Sequence, residues 1–173
     1  MNSDISTLIT QYAGAAGVPP DIALKVATQE SGGNQYNADG SLVTGSSGEI
    51  GVFQLMPATA AQLGVDPTDP EENVQGGITY LQQLYAQFGN WPAAVAAFNA
   101  GPGNVARGTI PSSTVGYVNA VLSGTGLLGG STSTVPAVDL GSLFTGTPSG
   151  TAVPLAAIAV GLVGLLVIWW LVD

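Results

Sequence analysis

Apolar positions recur at helical spacing through the first two-thirds of the chain. Ile5, Leu8, Ile9 and Tyr12 line one side of residues 3–16, which Ser3 or Asn2 can cap. A second helix opens at Pro20 and Asp21, since proline suits the first helical position and a carboxylate suits the positive end. Its buried face is Ile22, Ala23, Val26 and Ala27, and Glu30 lies one turn beyond Val26 on that face. Gly32-Gly33 stops it. Residues 33–50 lose the period and read as a loop rich in Gly, Asn, Ser and Thr. Pro57 then opens a short helix through Leu63 that Gly64 closes. Asp69-Pro70-Glu71-Glu72 predicts a helix start, with Asp69 as N-cap and Glu72 as its reciprocal capping-box partner. The helix that follows sets Val74, Ile78, Leu81, Leu84 and Phe88 on its buried side and ends at Gly89. Trp91-Pro92 opens another through Asn99, Gly101-Pro102-Gly103 breaks it, and a last helix falls near 113–122. No strand run stands out, so residues 1–123 predict a mostly α domain.

The pattern changes after residue 123. In 124–151, 19 of the 28 positions are Gly, Ser, Thr or Pro, too few apolar groups for a core, which predicts a linker. Residues 152–172, from Ala152 to Val172, carry no charge. As a helix they would span about 31 Å, close to the hydrocarbon thickness of a bilayer. Trp169 and Trp170 sit where an interfacial aromatic belt would be, so a single transmembrane helix is expected there.

Composition narrows the chemistry. The chain has 173 residues, two basic and eleven acidic, with a net charge of −9, which argues against nucleic acid as a partner. It has no His and no Cys, which removes the usual zinc sites, thiol nucleophiles and Ser-His-Asp triads. No metal and no cofactor is expected. Asp66, Asp69, Glu71 and Glu72 suggest a metal cluster at first, but turn and cap chemistry explains them better. Any catalysis must rest on carboxylates, amides, hydroxyls and backbone. Glu30 has two readings. It is a solvated helix-end carboxylate, or a half-buried acid that burial and the helix dipole keep protonated for proton donation.

Four short motifs fall in order along the chain: Glu30-Ser31, Gly48-Glu49-Ile50-Gly51-Val52-Phe53-Gln54-Leu55-Met56-Pro57, Ala97-Phe98-Asn99-Ala100-Gly101, and Tyr117-Val118. Together they resemble the lytic transglycosylases (SLT domain) of the goose-type lysozyme-like fold, over nearly all of 20–122. The resemblance implies cleavage of the MurNAc–GlcNAc β-1,4 bond of peptidoglycan glycan strands, leaving 1,6-anhydromuramyl ends. It makes Glu30 the catalytic acid, with Ser31 and Tyr117 as catalytic support and Tyr117 orienting the carboxyl. It assigns Gln54, Met56, Phe98 and Asn99 to substrate binding, with Ser46 or Ser47 filling the place of an upstream serine that has no exact match. Each has a plainer alternative: a loop-stabilising amide for Gln54, core packing for Met56 and Tyr117, a backbone cap for Asn99 and a helix-end hydroxyl for Ser31. Phe98 stands where the family usually has Tyr. Ordinary glycosidases need two carboxylates, and substrate-assisted ones are the exception. Asp39 and Glu49 are the nearby candidates for a second acid, each expected in a solvated loop.

A lytic transglycosylase is therefore the first expectation. A muramidase-type hydrolase of the same fold and a non-catalytic wall-binding or structural membrane protein are its rivals. Met1 to Tyr12 does not resemble a signal peptide. With a tail anchor, the expected location is the internal membrane of a bacteriophage virion, the alternative being the bacterial inner membrane facing the periplasm. Lipid through 152–172, and capsid or envelope-complex proteins, are the further partners expected.

Overall fold

The computed structural model describes residue 1 and residues 3–127. The expected transmembrane helix at 152–172, most of the expected linker and the alternative cap Asn2 lie outside the described residues. Among the described residues no helix is long and apolar enough to cross a membrane.

Seven helices form in this part: α1 (Ser3–Ala16), α2 (Pro20–Ser31), α3 (Pro57–Leu63), α4 (Pro70–Phe88), α5 (Trp91–Ala100), α6 (Pro102–Ala106) and α7 (Ser112–Leu122). Five of them close a ring, in which α1 packs on α2 and α4, α5 packs on α4 and α7, and α7 returns to α2. The apolar stripes meet inside it: Ile9, Ile22, Val26, Leu81, Val95 and Leu122 are all fully buried. Lys25 on α2 donates to the Ser123 carbonyl just past α7, placing a cation at the negative end of that helix.

Most helix ends follow local chemistry. Gly32 and Gly33 both take left-handed backbone and donate to the Thr28 and Ala27 carbonyls, which ends α2 directly after Glu30-Ser31. Asp69 caps α4 by accepting from the Glu71 and Glu72 amides. The capping box is not reciprocal, however. The Glu72 carboxylate accepts from the Asp66 amide, while the Asp69 amide is taken by the Asp66 carbonyl. The preceding turn competes for both groups and wins. The Gly-Pro-Gly break after α5 itself starts one extra turn of helix, α6, because Pro102 can serve as a first helical residue.

Residues 33–56 form no regular strand. Three isolated bridges, Tyr36 with Leu42, Thr44 with Ile50 and Ile50 with Leu55, fold the segment back on itself. It nevertheless sends Val52, Phe53 and Leu55 into the core. Gly76 and Gly77, in the middle of α4, make room for it. A Cβ on Gly77 would overlap the Phe53 ring, and one on Gly76 would crowd Leu55 and Val65. Glycine inside a helix costs about 1 kcal/mol relative to alanine. Close approach of the loop is what that cost provides.

Candidate active site

The packing of α2 on α7 joins Glu30 to a residue 87 positions away. The Tyr117 hydroxyl donates to Glu30 Oε1 at 2.5 Å, and both side chains are half-buried. Burial raises the Glu30 carboxyl above the ordinary glutamate range. The Tyr117 hydrogen bond acts the other way, because it favours the ionised form, and the charge of Glu49 adds to the rise. Burial and the nearby Glu30 charge push the Tyr117 phenol well above its usual range, so it remains a donor. This is an acid held by a neutral donor in a partly dry setting, able to give a proton and take one back.

The connection after α2 is tied down around that pair. Ser31 Oγ donates to the Val52 carbonyl at 2.8 Å and accepts from the Asn34 amide at 3.0 Å. Buried Gln35 accepts from the Val52 amide through Oε1 and donates through Nε2 to the Pro67 and Thr68 carbonyls. Asn73, fully buried on α4, accepts from the Phe53 amide and donates to the Ile50 and Pro67 carbonyls. Gln54 takes φ 46°, a left-handed conformation that costs a side-chain-bearing residue about 1 kcal/mol or more. Its Nε2 donates to the Gly51 carbonyl at 2.8 Å, and its own amide donates to the same oxygen at 3.1 Å, which holds the turn.

A cleft of about 300 Å³ is lined by Gln54, Met56, Thr59, Tyr80, Phe98 and Asn99, among others. Met56 is 40% exposed, so it lies at the cleft surface and not in the core. Phe98 packs on Tyr80 with ring centroids 5.4 Å apart, and edge-on to Phe53. Asn99 Oδ1 accepts from Thr114 on α7 at 2.8 Å, whereas the α5 end is closed by the Gly101 amide on the Ala97 carbonyl. The backbone-cap reading of Asn99 therefore does not hold. Thr114 and Tyr117 are three residues apart on α7, so one face of that helix touches both the cleft and Glu30. A second concavity, about 430 Å³, runs past Ser31, Asn34, Tyr36, Asn37, Ala38 and Val43.

The sequence-predicted residues thus fall into two groups: Glu30, Ser31 and Tyr117 at the α2–α7 contact, and Gln54, Met56, Phe98 and Asn99 around one cleft. Ser46 and Ser47 belong to neither. Both are exposed on the turn before Glu49, and the Ser47 amide donates to Glu49 Oε2 at 3.0 Å. Asp39 is exposed and binds its own loop, accepting from the Ser41 amide and hydroxyl, which holds its carboxyl below the usual range. Gln35, Asn73 and Tyr80 were not singled out by sequence reasoning. Asn73 left a signal, as a polar residue at helical spacing with Gly77 and Leu81 on the buried stripe of α4. Tyr80 left only an aromatic ring beside that stripe.

A ring of helices with a half-buried carboxyl at the close of α2 is the lysozyme-like class of helical fold. The chain belongs to the family described as Transglycosylase SLT domain, which matches residues 7–113. The match begins inside α1 and stops short of Tyr117. The soluble lytic murein transglycosylase of Escherichia coli (strain K12) is 36% identical over 110 residues, covering 57% of this chain and 16% of that protein. The transglycosylase of Enterobacteria phage PRD1 is 32% identical over 117 residues, covering 67% of this chain and 41% of that one. The chain therefore spans less than half the length of either relative. The crystal structure of the 70 kDa soluble lytic transglycosylase SLT70 from Escherichia coli superposes with a TM-score of 0.59 at 33% identity, over 67% of this chain and 22% of that one.

Proposed function

We propose that the chain is a peptidoglycan lytic transglycosylase with Glu30 as its one acid and base. Protonated Glu30 gives its proton to the glycosidic oxygen as the bond from C1 to that oxygen breaks. The substrate's own N-acetyl group stabilises the charge that develops at C1. Glu30, now a carboxylate, takes the proton of the C6 hydroxyl, and that oxygen closes onto C1 to give the 1,6-anhydro ring. No water is consumed. Tyr117 orients the carboxyl in both states, because its hydroxyl donates to Glu30 Oε1 whether the group is charged or neutral. Gln54, Met56, Phe98 and Asn99 form a sugar-binding wall, and Ser31 holds the α2 end against it. The observation that carries the reading is the Tyr117–Glu30 hydrogen bond at 2.5 Å on a carboxyl whose burial favours the protonated form. Names of the two relatives support it.

Mass spectrometry of muropeptides released from purified peptidoglycan by the full chain in detergent tests this. Anhydro-ended products, lighter by one water than hydrolase products, are expected. Glu30→Gln should lower release by roughly 10²–10⁴-fold while binding to peptidoglycan persists. Reducing-end products would make the protein a muramidase, and unchanged release by Glu30→Gln would make Glu30 a bystander.

We also propose the wider layout: a catalytic domain over 1–123, a linker over 124–151, and a membrane anchor over 152–172. Absence of charge from Ala152 to Val172 supports the anchor. The phage relative favours a virion membrane over a bacterial envelope. Immunodetection in purified particles and in host membrane fractions decides between them, and absence from particles would end the virion reading.

A further inference from the structure

Tyr80 lines the cleft but has no part in the mechanism above. A chain of aromatic contacts holds its ring. Gly77, one turn earlier on α4, leaves room for the Phe53 ring. Phe98 lies edge-on to Phe53 with centroids 6.3 Å apart, and Tyr80 tilts against Phe98 by 51° at 5.4 Å. The Tyr80 ring is half-buried, yet its hydroxyl has no hydrogen-bond partner among the described residues. Nor is that oxygen sealed in. The one buried side-chain oxygen or nitrogen left without a partner among these residues is Asn119 Oδ1. Burial of the ring raises the phenol above its usual range, so it keeps its proton and can donate as well as accept. The cleft wall therefore carries a fixed ring whose hydroxyl is unpaired and open to solvent.

The two amides of the same wall are also held by the protein at one end only. Gln54 Nε2 donates to the Gly51 and Val43 carbonyls, which leaves its Oε1 without a hydrogen bond. Asn99 Oδ1 accepts from Thr114, which leaves its Nδ2 without one. Met56 and Phe98 bring apolar surface beside them. A pyranose has C–H faces and hydroxyl edges, so it needs both kinds of wall. We propose that Tyr80 is a substrate-binding residue: its hydroxyl hydrogen-bonds the saccharide unit that lies in the cleft against Phe98. The proposal deepens the functional reading above and rests on it. Tyr80 contributes affinity and not proton transfer, because its hydroxyl bonds to neither Glu30 nor Tyr117. The new bond costs little ordering of the side chain, since Phe98 already fixes the ring.

Tyr80→Phe removes one oxygen and keeps the ring. With the full chain in detergent, its melting temperature without ligand should match wild type, because that oxygen has no protein partner to lose. KM for muropeptide release should rise roughly three- to tenfold, with kcat within about twofold of wild type. A second readout needs no turnover. Titration calorimetry in a Glu30→Gln background should show a β-1,4-linked N-acetylglucosamine tetramer binding more weakly by the same factor when the Tyr80 hydroxyl is gone. Tyr85→Phe, on the Trp91 stack and outside the cleft lining, should change neither constant. A tetramer that fails to bind, or that binds equally well with and without the Tyr80 hydroxyl, would overturn the inference. So would a Tyr80→Phe variant that melts lower and loses kcat with KM unchanged, since that marks a structural group. Tetramer binding that weakens as expected, in a chain whose wild type releases no muropeptide, would defeat the functional reading alone.

Discussion

The ring of helices and the 33–56 connection both send side chains into the core but are held by different forces. Ile9, Leu81 and Val95 in the ring are as inaccessible to water as Val52 and Phe53 in the connection. The ring is held by apolar stripes, and its backbone groups are satisfied inside each helix. The connection has almost no regular structure, so its backbone needs partners from elsewhere. Gln35, Asn73 and Ser31 supply them. A scaffold that tolerates hydrophobic exchange therefore supports a loop at the candidate active site that depends on a few amides and hydroxyls. Glu30 sits where the two meet.

Truncation on each side tests that difference. Leu81→Ala should lower stability by roughly 3–5 kcal/mol, through lost apolar burial and a cavity in the ring. Its effect should spread over the whole helical frame. Asn73→Ala should cost roughly 1–3 kcal/mol, because it strands the Phe53 amide away from water, while the Ile50 and Pro67 carbonyls keep the Leu55 amide and Gln35 as donors. Thermal melts measure the totals, and amide hydrogen exchange measures the pattern. In Asn73→Ala the Val52 and Phe53 amides should lose protection well before those of α1 or α5. If both variants lose protection uniformly, the connection and the ring are one cooperative unit and the contrast fails.

The same contrast explains what could be read from the chain. The ring was legible because Ile22, Val26, Ile78, Leu81 and Leu84 repeat at helical spacing, and glycine or proline marks nearly every boundary. Glu30 and Tyr117 were legible only as parts of ordered motifs, since nothing local in Tyr117-Val118 points to α2. The polar clasp was hidden, because buried Gln35 and Asn73 look like surface residues until their partners are known. The expected capping box misled because it counted Glu72 against Asp69 alone, with no account of the Asp66 amide that also needed an acceptor. Gln54, the one left-handed non-glycine among the described residues, could not be foreseen, for its strain is imposed by the turn around it.

A smaller effect is expected where one side chain serves both regions. Ser31→Ala removes the donor to the Val52 carbonyl and the acceptor for the Asn34 amide, at a cost of roughly 1 kcal/mol. Because Ser31 adjoins Glu30, kcat for muropeptide release should fall by more than the small shift in melting temperature would suggest, with KM little changed. A kcat equal to wild type would reduce Ser31 to a helix-end hydroxyl.

The smallest shift in stability should be positive, and it belongs to Glu30 itself. The folded state holds its carboxyl above the ordinary range, chiefly by burial. Between the unfolded pKa and that raised value, the folded protein binds more protons than the unfolded chain. Stability therefore falls as pH rises through this window, and the full cost is present above it. Below the window Glu30 is protonated in both states and costs nothing. Glu30→Gln replaces the carboxyl by a neutral group of the same shape, whose amide oxygen still accepts from Tyr117. Its melting temperature should match wild type in acid and exceed it at neutral pH. Leu81→Ala and Asn73→Ala should show no such divergence with pH, since neither residue titrates. A Glu30→Gln melt that tracks wild type at every pH would mean that Tyr117 fully offsets the burial, and that the acid is not held in its protonated form by the fold.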